Sequence, residues 1–150
     1  MAAASPWFFT HYTSKNWFYG GDDWLFAARW EQLLAHRARV DIVQVISWND
    51  FGESHYVGPV EGAQPGSQAW VDGFGHSAWL DMGKVYAQAF KTGVFPTLVK
   101  DEVFIWSRPH PASATAASDS LGKPTGWDTV RSPALVSGPR PRLTTVPADL

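Results

Sequence analysis

The stretch Asp41–Tyr56, DIVQVISWNDFGESHY, decides how this chain folds. Ile42, Val43, Val45 and Ile46 put β-branched apolar side chains on both faces of one segment. That pattern predicts a parallel strand covered on both sides rather than a half-exposed antiparallel one. The strand runs straight into a loop that holds two carboxylates, Asp50 and Glu53, among Trp48, Asn49, Phe51, His55 and Tyr56. In α/β enzymes the loops after the strands carry the catalytic groups. A pair of carboxyl groups in such a loop points to glycoside hydrolysis.

Upstream, Asp22 and Asp23 stand where a helix start needs acceptors for its free N–H groups. Phe26, Trp30, Leu33 and Leu34 follow at helical spacing, and Arg37 and Arg39 lie near the far end. Pro6–His11 (PWFFTH) reads as a short aromatic strand and Tyr12–Gly21 as a loop. Pro6–Trp48 is therefore expected to form one β-α-β unit.

Downstream, Gly58–Gly75 reads as a long loop rich in Gly, Pro and Gln. Loops beyond about 12–15 residues in compact domains are usually functional or disordered. Trp70 and Phe74 inside this one argue for packing or ligand contact. A second helix is expected from His76 to Lys91, with Trp79, Leu80, Val85, Tyr86 and Phe90 buried and Gly93 as its stop. Val103–Trp106 (VFIW) reads as a third strand, ended by Arg108–Pro111 (RPHP). Beyond Pro111 come small residues and repeated prolines, the composition of a disordered tail.

A chain of 150 residues is long enough for one domain. It is short of the roughly 250 that a complete α/β barrel uses. The formal charge of -2 leaves no basic field to attract nucleic acid or an anionic membrane. No apolar run approaches the roughly 18 residues that a membrane span needs. Cysteine is absent, which excludes disulfides and thiolate chemistry. The opening MAAASP has neither a basic nor an apolar region, so no signal peptide is expected within this chain. The aromatic content is high, with Trp 9, Phe 9 and Tyr 4. A tryptophan offers a flat apolar face and one donor, which suits a core or a sugar platform.

The spacing of Asp50 and Glu53 leaves the mechanism open. An extended chain separates such positions by at most about 10–11 Å, and a helical turn brings them within about 5–6 Å. Inverting pairs need roughly 6.5–9.5 Å and retaining pairs about 5–5.5 Å. His11 sits at a strand end that would face the same rim. His55 has three open roles: binding a hydroxyl, tuning Glu53, or joining the carboxylates around a metal. No H-x-x-x-H or H-x-x-E-H pattern supports the metal, and none is expected. His76 reads as a helix-start residue and His110 as a strand-end residue; Trp70 and Trp79 read as core before sugar platform. No Gly-rich phosphate loop or G-x-S-x-G elbow is present.

Five strings then carry a family likeness: SPWFFTHY, KNWFYGGDDWLFAARWEQLL, VISWNDFGESHYVGP, AWVDGFGHSAWLDMGKVYAQAFKTG and FIWSRPHP. From about Ser5 to Pro111 the chain resembles the closing part of fungal α-1,3-glucanases, the mutanases of glycoside hydrolase family 71. The resemblance implies an α/β fold, a (β/α)8 TIM barrel whose last β/α units are residues 1–95. Residues 96–111 would begin a small β-rich accessory region, and 112–150 would be the tail.

The same resemblance implies inverting endo-hydrolysis of α-1,3-glucan, a fungal cell-wall polysaccharide, without a cofactor. The setting would be extracellular or in the wall. By this similarity Asp50 and Glu53 are the catalytic pair, and His11, Trp48, Asn49, His55 and Tyr56 hold the sugar. Glu53 would be the acid, on its longer reach and slightly higher ordinary pKa, and Asp50 the base.

By this resemblance the family's first several β/α units would be missing from the chain, and the sequence after Trp127 is expected to depart from the family's continuation. A gene-model truncation, a splice product or a frameshifted tail would each produce this pattern. The polypeptide alone is then expected to fold poorly and to hydrolyse glucan weakly or not at all. The alternatives are a non-catalytic carbohydrate-binding remnant and a truncated gene product without function.

Overall fold

The computed structural model describes residues 1–18, 24–97 and 99–107, with the single positions 118 and 121. Helix and strand are mixed, as an α/β chain requires. Strand β1 (Ala2–Ala4) pairs in parallel with β4 (Val43–Val45), in the register Ala2↔Val43, Ala3↔Gln44 and Ala4↔Val45. Between them lie a hairpin, β2 (Phe9–Tyr12) and β3 (Lys15–Phe18), and helix α1 (Leu25–Ala35). A short helix α2 (Gln68–Val71) and the longer α3 (Ser77–Thr92) follow. The described strands form two separate two-stranded sheets, and they close no barrel.

The β-α-β unit exists, but its first strand is Ala2–Ala4 and not Pro6–His11. Alanine has low strand propensity, so sequence pattern gives it no weight. Its small side chain is what this position needs, because Ala4 is fully buried within the core that α1 and α3 build. The aromatic segment instead supplies β2, and half of the expected loop becomes its partner β3.

Helix α1 buries Phe26, Trp30 and Leu33, the spacing that the sequence shows. Helix α3 buries Trp79, Met82 and Ala89 and keeps Leu80, Tyr86 and Phe90 partly covered against the same cluster. The Trp30 and Tyr86 rings stack at 5.8 Å and 7° between the two helices. The Tyr86 hydroxyl donates to Glu31 Oε1 at 2.8 Å. Removing a core aromatic of this kind costs about 3–5 kcal/mol. Arg37 follows α1 and reaches the C-terminal end of α3, where its Nε donates to Phe90 O at 3.0 Å and its Nη2 to Lys91 O at 3.3 Å. Gly93 then ends α3 at φ 83, a left-handed position that favours glycine.

Strand β4 departs from its expected double coverage, since Ile42 is 58% exposed and Val45 38%. Among the described residues it pairs on one edge only. Val103–Trp106 forms no strand. Its alternation is real, because Phe104 and Trp106 pack on the core while Val103 and Ile105 face out. It finds no partner strand among the described residues. The expected Asp22 and Asp23 cap, His110 and nearly all of the tail lie outside the described residues.

Candidate active site

The chain leaves β4 after Ile46 N–H donates to Ala4 O at 3.0 Å. The Ile46–Ser47 peptide bond is cis. Ser47 then closes the loop on itself. Its N–H donates to His55 O at 3.0 Å and its hydroxyl to the same oxygen at 2.7 Å. That hydroxyl also accepts from Asp50 N–H at 2.9 Å. His55 N–H returns to Asp50 O at 3.0 Å, Val57 N–H to Ser47 O at 3.0 Å, and Gly58 N–H to Trp48 O at 2.9 Å. Phe51–Glu53 makes one 3-10 turn, and Ser54 follows in the left-handed region at φ 53.

The hairpin holds this turn from outside. Thr10, fully buried, donates through Oγ1 to Gly52 O at 2.9 Å, and Trp70 Nε1 donates to the same oxygen at 3.0 Å. A Cβ on Gly52 would lie 2.5 Å from the Tyr12 hydroxyl oxygen, so a side chain there would push the Tyr12 ring aside. The Lys15 ammonium pairs with Glu53 Oε1.

The result brings Asp50, Glu53 and His55 together, with one polar atom of each within 4.8 Å of the others. All three are partly exposed. Atoms this close can share a proton, a water molecule or a cation. Burial lowers the pKa of His55, and the negative charge of Asp50 raises it by a smaller amount. Above its ordinary value the imidazole is therefore a neutral donor and acceptor, suited to a sugar hydroxyl. Trp48, 57% exposed, and Asn49 stand in the same loop with accessible side chains. His11 sits in the hairpin with Nδ1 2.7 Å from Asn16 Oδ1, and its ring lies 6.4 Å from that of Trp70.

Tyr56, expected among the sugar-holding residues, packs inward. It is fully buried, its hydroxyl donates to Phe74 O, and its ring stacks on His76 at 3.7 Å. These contacts make it a support behind the loop. His76 is likewise more than a helix start. A carbonyl only accepts, so His76 Nδ1 carries the proton and donates to Tyr56 O at 2.8 Å. Trp70 packs, as expected, but also holds the carboxylate-bearing turn. Lys15, Thr10 and Ser47 escaped the sequence reading, because a lone lysine, threonine or serine carries no pattern. A separate cleft of about 260 Å³, lined by Trp7, Phe74, His76, Trp79 and Trp106, contains neither carboxylate.

The model of glycosyl hydrolase family 71 matches residues 1–137, so the likeness runs past Trp127, where the sequence reading expected it to end. A glucan endo-1,3-alpha-glucosidase of Schizosaccharomyces pombe is 46% identical over 130 residues, covering 85% of this chain and 30% of the relative. A mutanase of Penicillium rubens is 41% identical over 131 residues, covering 85% and 29%. An ascus wall endo-1,3-alpha-glucanase of Schizosaccharomyces pombe is 35% identical over 137 residues, covering 85% and 31%. The chain thus spans about 30% of the length of the curated relatives that it matches. No solved structure matches it.

Proposed function

We propose that this chain, which belongs to glycosyl hydrolase family 71, carries the carboxylate pair of an α-1,3-glucan hydrolase. The observation that supports this most is the convergence of Asp50 and Glu53 on one loop at the C-terminal end of a parallel strand. In (β/α)8 enzymes that is where reacting groups stand. On this reading β1, α1, β4 and α3 belong to barrel units within residues 1–95, and residues 96–111 open an accessory region.

In hydrolysis one carboxyl group protonates the glycosidic oxygen as its bond to the anomeric carbon breaks. The other takes a proton from the water that attacks that carbon. Inversion needs roughly 6.5–9.5 Å between the groups, and the nearest atoms of Asp50 and Glu53 lie within 4.8 Å. On this reading the two carboxyl groups stand further apart when the attacking water is bound. Trp48, Asn49, His55 and His11 would bind hydroxyls and ring faces of the glucan. The reaction asks for no cofactor. A wall polysaccharide as substrate places the work outside the cell, and no described helix is long and apolar enough to cross a membrane.

The test is release of reducing sugar from linear α-1,3-glucan by the longest translated product that carries this segment. Asp50→Asn and Glu53→Gln should each lower turnover by about 10²–10⁴-fold, the usual worth of a general acid or base. Near-normal turnover in both variants would reject the assignment. The exposed Trp48 and the open edge of β4 favour one rival, a sugar-binding segment without turnover. Retention on insoluble α-1,3-glucan with no product would identify it.

A further inference from the structure

We propose that Lys15 is a positioning residue that divides the labour of the carboxylate pair, keeping Glu53 as the base and leaving Asp50 as the acid. The inference rests on the hydrolase reading above. It reverses the order that side-chain reach suggests.

The reaction needs one of the two carboxyl groups ionised as base and the other protonated as acid. A cation against one group decides which stays ionised. Glu53 faces Asp50 and His55 from its own loop and Lys15 from the hairpin, with the Tyr12 hydroxyl against the neighbouring Gly52. His55 is lowered by burial and is no cation at neutral pH. Among the described residues Lys15 is the only lysine or arginine in ion-pair contact with either carboxylate.

Its placement is built into the fold. Lys15 opens β3, opposite Tyr12 across the hairpin turn. The hairpin is fixed to the catalytic turn through Thr10 and Gly52 O. The ammonium also lies 5.8 Å from the centre of the Phe8 ring, whose face attracts a cation. As an exposed pair the contact adds little to stability. Its effect is on the difference between two neighbouring acids, which is how such sites assign roles. In the reaction Glu53 accepts a proton from water as the water oxygen bonds to the anomeric carbon. The bond to the leaving oxygen breaks, its electron pair stays on that oxygen, and Asp50 supplies the proton.

The experiment follows the Glu53 carboxyl carbon by ¹³C NMR across pH, in the longest translated product that carries this segment. Lys15→Met should move the Glu53 ionisation midpoint up by about 0.5–1 pH unit, a discounted form of the shift that an adjacent opposite charge causes. Lys15→Arg, which keeps the charge, should hold it near the parent value. The acidic limb of kcat/KM should follow the NMR midpoint upward in Lys15→Met while the alkaline limb stays in place. An unmoved midpoint in Lys15→Met overturns the proposal, and so does movement of the alkaline limb alone, which would make Glu53 the acid. The NMR midpoint needs no turnover. A parent inactive on α-1,3-glucan would therefore sink the hydrolase reading and still leave the effect of Lys15 on Glu53 measured.

Discussion

Thr10 and Trp70 come from separate elements and converge on one acceptor, the carbonyl oxygen of Gly52, at 2.9 and 3.0 Å. Both lone pairs of that oxygen are thereby used, and the peptide between the two carboxylates is fixed from two directions. Thr10→Val keeps the shape and removes one donor. Trp70→Phe removes the other together with part of a ring contact. Each should lower unfolding free energy by about 1 kcal/mol, the net worth of a hydrogen bond. The double variant should show a coupling, because the two donors share one target. Urea denaturation of the four proteins gives the cycle, and strict additivity would mean that the turn does not need both.

His76 predicts a pH window. Burial pushes its imidazole down to about 4, and the bond to Tyr56 O opposes this by a smaller amount. Above the ordinary value of 6.5 both folded and unfolded forms are neutral, and this histidine makes stability no steeper. As pH falls from 6.5 towards 4, the unfolded chain takes up a proton that the folded chain refuses. Stability should drop across that window by an amount on the order of 2–3 kcal/mol. His76→Phe keeps a ring against Tyr56 and should flatten the slope between those pH values. Equal slopes in both proteins would place the titration elsewhere.

Gly58 lies against Trp48 so closely that a Cβ would stand 2.6 Å from Trp48 O and 2.8 Å from its indole Cε2. The backbone oxygen has little freedom to move aside. Gly58→Ala should cost about 1–3 kcal/mol, as overpacking does, and should shift the exposed indole. A changed tryptophan emission with weaker retention on insoluble α-1,3-glucan is the expected pair of results. Unchanged retention would remove Trp48 from the binding surface.

The two helices are tied at their ends by Arg37, whose guanidinium meets the last carbonyls of α3. Arg37→Met should lower the melting temperature through loss of a charged cap worth about 1 kcal/mol. Gly93→Ala strains a left-handed residue at φ 83 and sets a Cβ 3.0 Å from Arg37 Nη1. It should lower the melting temperature further than Arg37→Met does. A Gly93→Ala protein as stable as the parent would contradict the tight approach.

Much of this was legible in the chain, for identifiable reasons. Phe26, Trp30 and Leu33 announce α1 because one helical face must be apolar, and Gly93 marks the end of α3 because few other residues accept its backbone. The carboxylate loop was legible because a run of β-branched residues stops at Ile46, four residues before Asp50. Ala2–Ala4 was hidden, since small side chains selected for burial carry no alternation. The hairpin was hidden too, because Thr13 and Ser14 are weak turn markers and Lys15 looks like any surface lysine. The burial of Tyr56 was hidden because an aromatic beside two acids reads the same whether it faces solvent or core. Only the Phe74 carbonyl and the His76 ring, each far along the chain, separate those cases.

Ser47 has a consequence for the order of assembly. Its hydroxyl bridges partners only eight and three residues away. Ordering so short a segment takes little loop-closure entropy. Pairing Ala2 with Val43 demands a far longer excursion of the chain. Closing the acid-bearing turn therefore costs less chain entropy than closing the sheet. The sheet would then condense beside a turn that Thr10 and Trp70 still have to lock.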